Sequence, residues 1–516
     1  MLRKFAVLFV CAFFACTTTA VAANDAAPEP ASPSTDGTLP ALTSIAGAGM
    51  LHSHAYDYLQ ELSDDIGGRV TGSPECSRAI QWGIKKMKAI GLANVHAEEW
   101  KLSRGWTRVS ADAKLVSPVE RNLHVDSMGW VGSTRKGGAE AEVVTVNMYD
   151  LENEIKENAP KWAGKILLVV QKGEPPKDRM GMFARFGGFL KAAYDAHAVA
   201  VIGGQGGSKA AGMNLTHTGA LGYDTFYDIP VVSMTAEDQG LLERLLDEGK
   251  TVRMKINVQN RVTDGPVETA NVVGDITGTE HPEQVIVVGG HLDSWDLSEG
   301  ATDDGTGTAS VLGAAEAIVK SGRKPRRTIR FVLFTGEEQG LLGSIAYTKT
   351  HKSEMANHLG DLVLDNGQGP VDAFNLGGRK DLIPAFKKFA ESMKAFGDVK
   401  VDDKVSFGTD SGPFTLEGLA GINMSQDSPE YKYTHHSAAD SLDKVKPEIL
   451  TQNATLMALA AFWIADRPER LDTQWTPEQT AKMLVEKHED RMLKSFGLWP
   501  FGNLGSEGKS DAKPGE

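Results

Sequence analysis

Acidic side chains and one histidine follow short apolar runs that are typical of buried β-strands. These residues are His291 and Asp293, Glu337 and Glu338, and Asp365, while Asp303 and Asp304 stand at the start of a predicted helix. In an open α/β sheet, ligands bind in the crevice outside the carboxyl ends of the strands, so side chains at several such ends converge. Because imidazole and carboxylate groups suit Zn²⁺, the pattern predicts a metal site at that edge.

Each of these residues taken singly has an ordinary structural explanation. Asp303 or Asp304 alone would be a helix N-cap, because aspartate favours that position. A Glu337-Glu338 pair alone would be a solvated loop, and the later pair His435-His436 would be surface imidazoles. Their joint occurrence at the ends of different elements favours metal binding over these separate explanations.

The elements that must position these residues alternate between strand and helix beyond residue 265. The apolar runs Gln284–Gly289 and Thr328–Phe334 predict strands that are buried on both faces. Leu362–Leu364 and Ile422–Met424 predict two further strands, and Thr306–Lys320 has helical periodicity. Such alternation predicts an α/β fold with a mostly parallel sheet that is covered by helices.

The remaining sequence divides into segments of distinct composition. A positive start (Arg3, Lys4), an apolar run and Ala20-Val21-Ala22 predict a cleaved signal peptide, and therefore a secreted or periplasmic protein. The boundaries are 1–22 signal peptide, 23–42 linker, 43–114 first part of the α/β domain, 115–262 inserted β-rich domain, 263–500 main part of the α/β domain, and 501–516 disordered tail. The inserted domain is predicted because short β-rich runs alternate there with Gly-rich turns.

Composition narrows the classes of partner. The 516 residues carry a net charge of -14, which disfavours binding to phosphate backbones and to anionic lipid surfaces. No stretch after the signal is apolar enough to span a membrane. Two of the three cysteines lie inside the signal, which leaves Cys76 alone and excludes an internal disulfide in the mature chain.

Five motifs, in order and spacing, resemble the co-catalytic zinc exopeptidases of the leucyl aminopeptidase and glutamate carboxypeptidase type, in particular the plasma glutamate carboxypeptidase branch. They are GGHLDSW (289–295), GATDDGTGT (300–308), FTGEEQGLLGS (334–344), LVLDNG (362–367) and YTHHSAAD (433–440). The resemblance implies a zinc-peptidase (phosphorylase/hydrolase-like) core, two zinc ions per chain and short peptide substrates, and it suggests a homodimer. The inserted segment resembles a protease-associated domain.

The resemblance also implies a role for individual residues. Asp303 would bridge the two ions, with His291 and Asp365 completing the first site and Glu338 and His435 the second. Glu337 would be the general base, acting on a metal-bridged hydroxide. Asp293 would orient His291, and Asp440 would support His435. His436 and Tyr433 are candidates for contacting the substrate or the oxyanion.

The function expected is therefore zinc-dependent hydrolysis of peptide bonds in dipeptides or short peptides. An aminopeptidase acting on longer peptides is one alternative. A receptor-like relative without catalysis is another, although all five ligand positions and the base are present here. An acyltransferase of glutaminyl-cyclase type would share the core, but it generally lacks the inserted domain.

Overall fold

The computed structural model describes residues 38–175, 179–203, 213–471 and 473–504. The predicted signal peptide, most of the predicted linker and most of the predicted tail lie outside these residues. Within them, no helix has the length and apolar character needed to cross a bilayer.

The strands, in chain order, fall into two sheets. They are β1 Ala93–Leu102, β2 Trp106–Ser117, β3 Arg121–Leu123, β4 Val125–Ser127, β5 Ala139–Asn147, β6 Lys165–Val170, β7 Ala200–Ile202, β8 Val231–Met234, β9 Arg253–Val262, β10 Val267–Ile276, β11 His281–His291, β12 Arg327–Phe334, β13 His358–Val363, β14 Val371–Asn375, β15 Lys400–Asp402 and β16 Gly421–Gln426.

Helices cover the faces of both sheets. They are α1 Thr38–His52, α2 Ala55–Gln60, α3 Pro74–Ile90, α4 Leu151–Asn158, α5 Arg179–Asp195, α6 Ala236–Asp247, α7 Thr306–Lys320, α8 Leu342–Thr350, α9 Ile383–Ser392, α10 Ser411–Leu416, α11 Tyr431–Thr434, α12 Pro447–Asp466, α13 Pro477–Glu486 and α14 Asp490–Ser495.

The first sheet has the order β1-β10-β12-β11-β13-β16-β14-β15. Its centre, β12-β11-β13-β16, is parallel. Toward the edges, β10 pairs antiparallel with both β12 and β1, and β14 pairs antiparallel with β16 and parallel with β15. Because the central strands are parallel, their carboxyl ends open at one edge of the sheet. The predicted α/β class with a mostly parallel sheet is confirmed.

The central strands are apolar on both faces because helices lie on both sides. Ile286 and Val288 of β11 face one core, which includes residues of α7 and α12 such as Leu312 and Leu459. Val287 faces the other core, which contains residues of α8 and α10. Continuous apolar runs in parallel strands reflect this double burial.

The second sheet has the order β3-β2-β9-β5-β6-β7-β8-β4. It begins at Trp106, ahead of the predicted domain boundary at residue 115, and its last strand ends at Val262. Helix α6 packs on one of its faces and helices α4 and α5 on the other. A tryptophan cluster, which we define as Trp106, Trp130 and Trp295, packs this sheet against the first.

Candidate metal and active site

Asp303 lies at the centre of the predicted site, in the turn Ala301–Gly305 between β11 and α7. Its backbone is not helical (φ -132°, ψ 92°), and its peptide bond to Asp304 is cis. The carboxylate of Asp440 accepts hydrogen bonds from the backbone N–H groups of Thr302 (2.6 Å) and Asp303 (3.2 Å). These contacts fix the turn and hold the buried Asp303 carboxylate between two groups of side chains.

The first group consists of His291, Asp303 and Asp365, all buried. His291 ends β11, and its Nε2 lies 3.3 Å from Asp303 Oδ1 and 3.7 Å from Asp365 Oδ1. The other ring nitrogen, Nδ1, lies 3.0 Å from the backbone carbonyl oxygen of Asp293 and 3.6 Å from that residue's carboxylate. Asp293 thus contacts the far side of the imidazole, which directs Nε2 toward the two carboxylates.

The second group surrounds the other oxygen of Asp303. His436 Nε2 lies 3.3 Å from Asp303 Oδ2 and 2.9 Å from Glu338 Oε2. His435 Nε2 lies farther from Asp303 Oδ2, at 3.8 Å, and its ring stacks on that of His436 with a centroid distance of 3.7 Å. The His435 side chain is 38% exposed and that of His436 is 12% exposed. Both histidines are within reach of Asp303, and His436 is the more buried.

Buried polar atoms without a hydrogen-bond partner indicate what these groups could hold. Among the described residues, these atoms include His291 Nε2, Asp303 Oδ2 and Glu338 Oε1. A buried polar atom without a partner is costly, and a cation would satisfy all three. The donors are imidazole nitrogens and carboxylate oxygens, which is the ligand chemistry of zinc. The residues present therefore fit a metal centre.

The charges of the site lead to the same conclusion. Burial raises the pKa of the Glu337 and Glu338 carboxyl groups well above their ordinary values, and neighbouring carboxylates, Asp365 and Asp303 respectively, raise them further. Burial also raises the pKa of Asp365. Carboxylates this close and this buried repel one another in their charged forms, and cations between them would relieve that repulsion.

Glu337 lies in the loop after β12, and its Oε2 is 3.9 Å from His291 Nε2. Its backbone N–H donates to Asp293 Oδ1 at 3.4 Å. Asp304, the neighbour of Asp303, accepts hydrogen bonds from the backbone N–H groups of His291 and Gly307 at 3.2 and 2.8 Å. Glu337 therefore faces the first group of ligands. The hydrogen bonds to Asp304 stabilise the backbone at His291 and at the start of α7.

Two of the supporting residues make contacts that the sequence did not predict. The Asp440 carboxylate accepts hydrogen bonds from the Thr302 and Asp303 backbone N–H groups, so it supports the Asp303 turn. The Tyr433 ring lies beside Lys432, whose Nζ is 4.8 Å from the ring centroid. It is Tyr431 whose ring packs edge-on against His435, at 5.1 Å between centroids.

Residues from the second sheet's part of the chain reach the site, and sequence reasoning missed them. The Thr218 carbonyl oxygen lies 3.2 Å from His436 Nδ1, and Thr218 N–H donates to the His436 carbonyl oxygen at 2.9 Å. His217 Nδ1 lies 2.8 Å from the His435 carbonyl oxygen.

Trp295 Nε1 donates to Glu338 Oε2 at 2.6 Å. Trp295 lies within the GGHLDSW motif, so proximity to His291 is the one signal that could have found it.

Comparison with known proteins finds similar sequences and structures. The peptidase family M28 model matches residues 271–461. Carboxypeptidase Q of Mus musculus is 28% identical over 434 residues, covering 84% of this chain and 90% of the mouse protein. The crystal structure of a peptidase M28 precursor from Shewanella amazonensis has 27% identity and a TM-score of 0.75, covering 85% of this chain and 99% of that one.

The zinc aminopeptidase BSAP from Bacillus subtilis is 21% identical with a TM-score of 0.62, and the comparison covers 82% of this chain and 97% of that one. At that identity it supports the fold alone. The family match and the carboxypeptidase Q relatives confirm the resemblance found in the motifs. Residues 271–461 match the peptidase family M28 model, and the chain is a zinc metallopeptidase similar to carboxypeptidase Q over most of its length.

Proposed function

We propose that the chain is an exopeptidase that uses two zinc ions to hydrolyse dipeptides or short peptides. The observation that carries the proposal is the position of the Asp303 carboxylate, which belongs to both groups of metal-ligand side chains. Its Oδ1 faces His291 and its Oδ2 faces His436. An anionic bridge of this kind offsets the repulsion between two neighbouring cations.

The proposed ligands divide into two positions that share Asp303. The first position takes His291 and Asp365, and the second takes Glu338 and His436. This assignment departs from the sequence-based choice of His435. It is supported by the closer approach of His436 Nε2 to Asp303 and by its 2.9 Å distance from Glu338.

Glu337 is proposed as the general base and acid. When bound, zinc supplies a Lewis acid that brings the pKa of a coordinated water near neutrality and polarises the substrate carbonyl. The Glu337 carboxylate would take a proton from the attacking water and return it to the amine of the leaving group. Burial beside other carboxylates raises its affinity for a proton, which suits a group that must hold one briefly.

The test compares two adjacent glutamates that differ only in proposed role. We expect Glu337→Gln to retain about two zinc ions and to lose turnover of dipeptides by roughly 10²–10⁴-fold, the usual contribution of a general base. Glu338→Gln should instead lose zinc from the second position. Zinc content and hydrolysis rate are measured on both variants and on the wild type.

Two results would contradict these roles. If Glu337→Gln hydrolyses dipeptides at the wild-type rate, Glu337 is not the base. If the wild type holds no zinc and cleaves no peptide, the chain is a receptor-like relative rather than an enzyme.

The preference for dipeptides is supported by the similarity to carboxypeptidase Q over most of the chain. We expect free dipeptides to be hydrolysed faster than matched N-acylated dipeptides and longer peptides. Rapid release of N-terminal residues from longer peptides would establish the aminopeptidase alternative. Equal cleavage of N-acylated substrates would contradict both, because both require recognition of a free amino group.

We also propose that the enzyme acts after export, on the basis of the signal sequence in residues 1–22. The mature protein is expected to begin at Ala23. N-terminal sequencing of protein recovered from outside the cytoplasm tests this, and recovery of an intact Met1 would contradict it.

A further inference from the structure

The two metal positions are supported in different ways. At the first, the far side of His291 contacts Asp293, two residues along the same chain segment. At the second, Glu338 and His436 each contact a group that is itself fixed from the second sheet. These groups are the indole of Trp295 and the backbone of Thr218. One side chain of the second sheet, Arg108 of β2, connects to both.

The connection to Glu338 passes through Asp296 and Trp295. Arg108 donates to the Asp296 carboxylate from Nε at 3.2 Å and from Nη2 at 2.9 Å. The preceding residue, Trp295, is 4% exposed and packs edge-on against Trp106 and Trp130, with ring centroids 6.3 and 6.1 Å away. A Trp295 ring fixed by these contacts presents its N–H to Glu338 Oε2 in one orientation.

The connection to His436 passes through Thr218. Arg108 Nη2 donates to Thr218 Oγ1 at 3.0 Å, and that hydroxyl donates to the Ser127 carbonyl oxygen at 3.1 Å. Arg108 Nη1 donates to the same carbonyl. Thr218 then makes two backbone contacts with His436, one of them to the ring nitrogen that faces away from Asp303.

The backbone of His436 needs this support. Its φ is 59°, in the left-handed region that non-glycine residues rarely adopt. The Thr218 N–H bond to the His436 carbonyl oxygen holds the residue in that conformation. His217 and Ser437, the residues next to Thr218 and His436, form an isolated antiparallel β-bridge.

We propose that Arg108 is a positioning residue for the second metal position, acting on Glu338 through Asp296 and Trp295 and on His436 through Thr218. Its side chain is 10% exposed, so the guanidinium is largely shielded from water, which would otherwise compete for these partners. Lysine carries the same charge, but it lacks the planar fork that reaches a carboxylate and two oxygen acceptors together. The inference rests on the proposed two-ion function.

The experiment measures how strongly each ion is held. Zinc-loaded wild type and Arg108→Lys are dialysed against increasing concentrations of a chelator, and the zinc retained per chain is counted. We expect the variant to release one ion at about 10–100-fold lower chelator strength than the wild type, the usual effect of changing a residue behind a metal ligand. Release of the other ion should be unchanged.

Two further variants separate positioning from general stability. Arg330→Lys alters a similarly buried arginine–carboxylate pair in the first sheet, where Arg330 Nε lies 2.9 Å from Asp275 Oδ1. It should lower the melting temperature without selective loss of one ion. Gly129→Ala leaves Arg108 intact but would place a methyl group 2.2 Å from the Trp295 ring, so it should reproduce the selective loss.

The outcomes are distinguishable. If Arg108→Lys retains both ions as the wild type does, or loses both together, Arg108 does not position the second site and the inference is wrong. If the wild type itself holds a single ion, the two-ion function fails and the inference fails with it.

Discussion

The two halves of the candidate centre are built from different parts of the chain. His291 and Asp365 follow or end β11 and β13, which are adjacent and parallel in the first sheet. Glu338 lies in the loop that follows β12 of the same sheet, and His436 lies in a loop after α11. The contacts behind both come from Trp295, packed on the second sheet, and from Thr218. The first half is therefore positioned by one sheet, whereas the second depends on how two sheets pack together.

This difference shows which metal ligands adjacent strands can position and which ones need tertiary packing. Neighbouring parallel strands bring their carboxyl ends together whenever the sheet forms. Loop residues lack such a template, so their side chains are fixed only by contacts with distant segments. We therefore expect the two metal positions to respond independently to mutations of their surroundings.

The largest expected effect removes the residue that both halves share. Asp303→Ala should lose both zinc ions and reduce dipeptide hydrolysis to the detection limit, because each position loses a ligand and the two cations lose their bridge. Metal analysis and turnover measure this, and a folded protein is verified by its circular dichroism. Retention of two ions would contradict the bridging role.

The next effect distinguishes the two adjacent histidines. His436→Ala should lose the second ion and most activity, because His436 Nε2 is close to both Asp303 and Glu338. His435→Ala should retain both ions, since its side chain is more exposed and more distant. The opposite result would restore the sequence-based assignment to His435.

A smaller effect is expected behind the first position. Asp293→Ala should lower the zinc affinity of the first position by about 10-fold, near the lower end of the usual effect of changing a residue behind a metal ligand. The effect is small because His291 Nδ1 still faces the backbone carbonyl at residue 293. This variant mirrors Arg108→Lys. If both variants weaken the same ion, the two halves are not independent.

The smallest expected effect on zinc binding is at His358, at the start of β13, where the change should instead be in the pH dependence of stability. Burial lowers the pKa of His358 to about 4 from 6.5. Between these values the unfolded chain binds the proton more readily, so stability falls as pH decreases from about 6.5 to 4 and levels off below. The loss should be at most about 3 kcal/mol.

His358→Asn should reduce this dependence of stability on pH without changing zinc retention at neutral pH. Denaturant unfolding at a series of pH values measures it. Equal pH dependence in the variant and the wild type would contradict the assignment to His358.

The first half of the site could be predicted from sequence because its signals are local. Apolar runs mark β11 and β13, and His291 and Asp365 follow them at once. The predicted helix Thr306–Lys320 matches α7. These features depend on neighbours within a few residues along the chain.

The rest depended on contacts that spacing does not encode. Two consecutive histidines have the same motif context, and it is the backbone turn at His436, held by Thr218, that distinguishes them. Helix α1 begins at Thr38, inside the predicted linker, because it packs its apolar residues Leu42 and Ile45 into the main core. The linker was predicted from a composition rich in small residues, which carries no information about packing against the core.

The chain leaves the first sheet for the second, and returns to it, at neighbouring positions. Leu102, the last residue of β1, pairs with Val267, the first residue of β10, in an antiparallel register. In evolutionary terms, residues 103–266 occupy the place of a hairpin turn, so an ancestral peptidase core could have acquired them without rethreading a single strand of its own sheet.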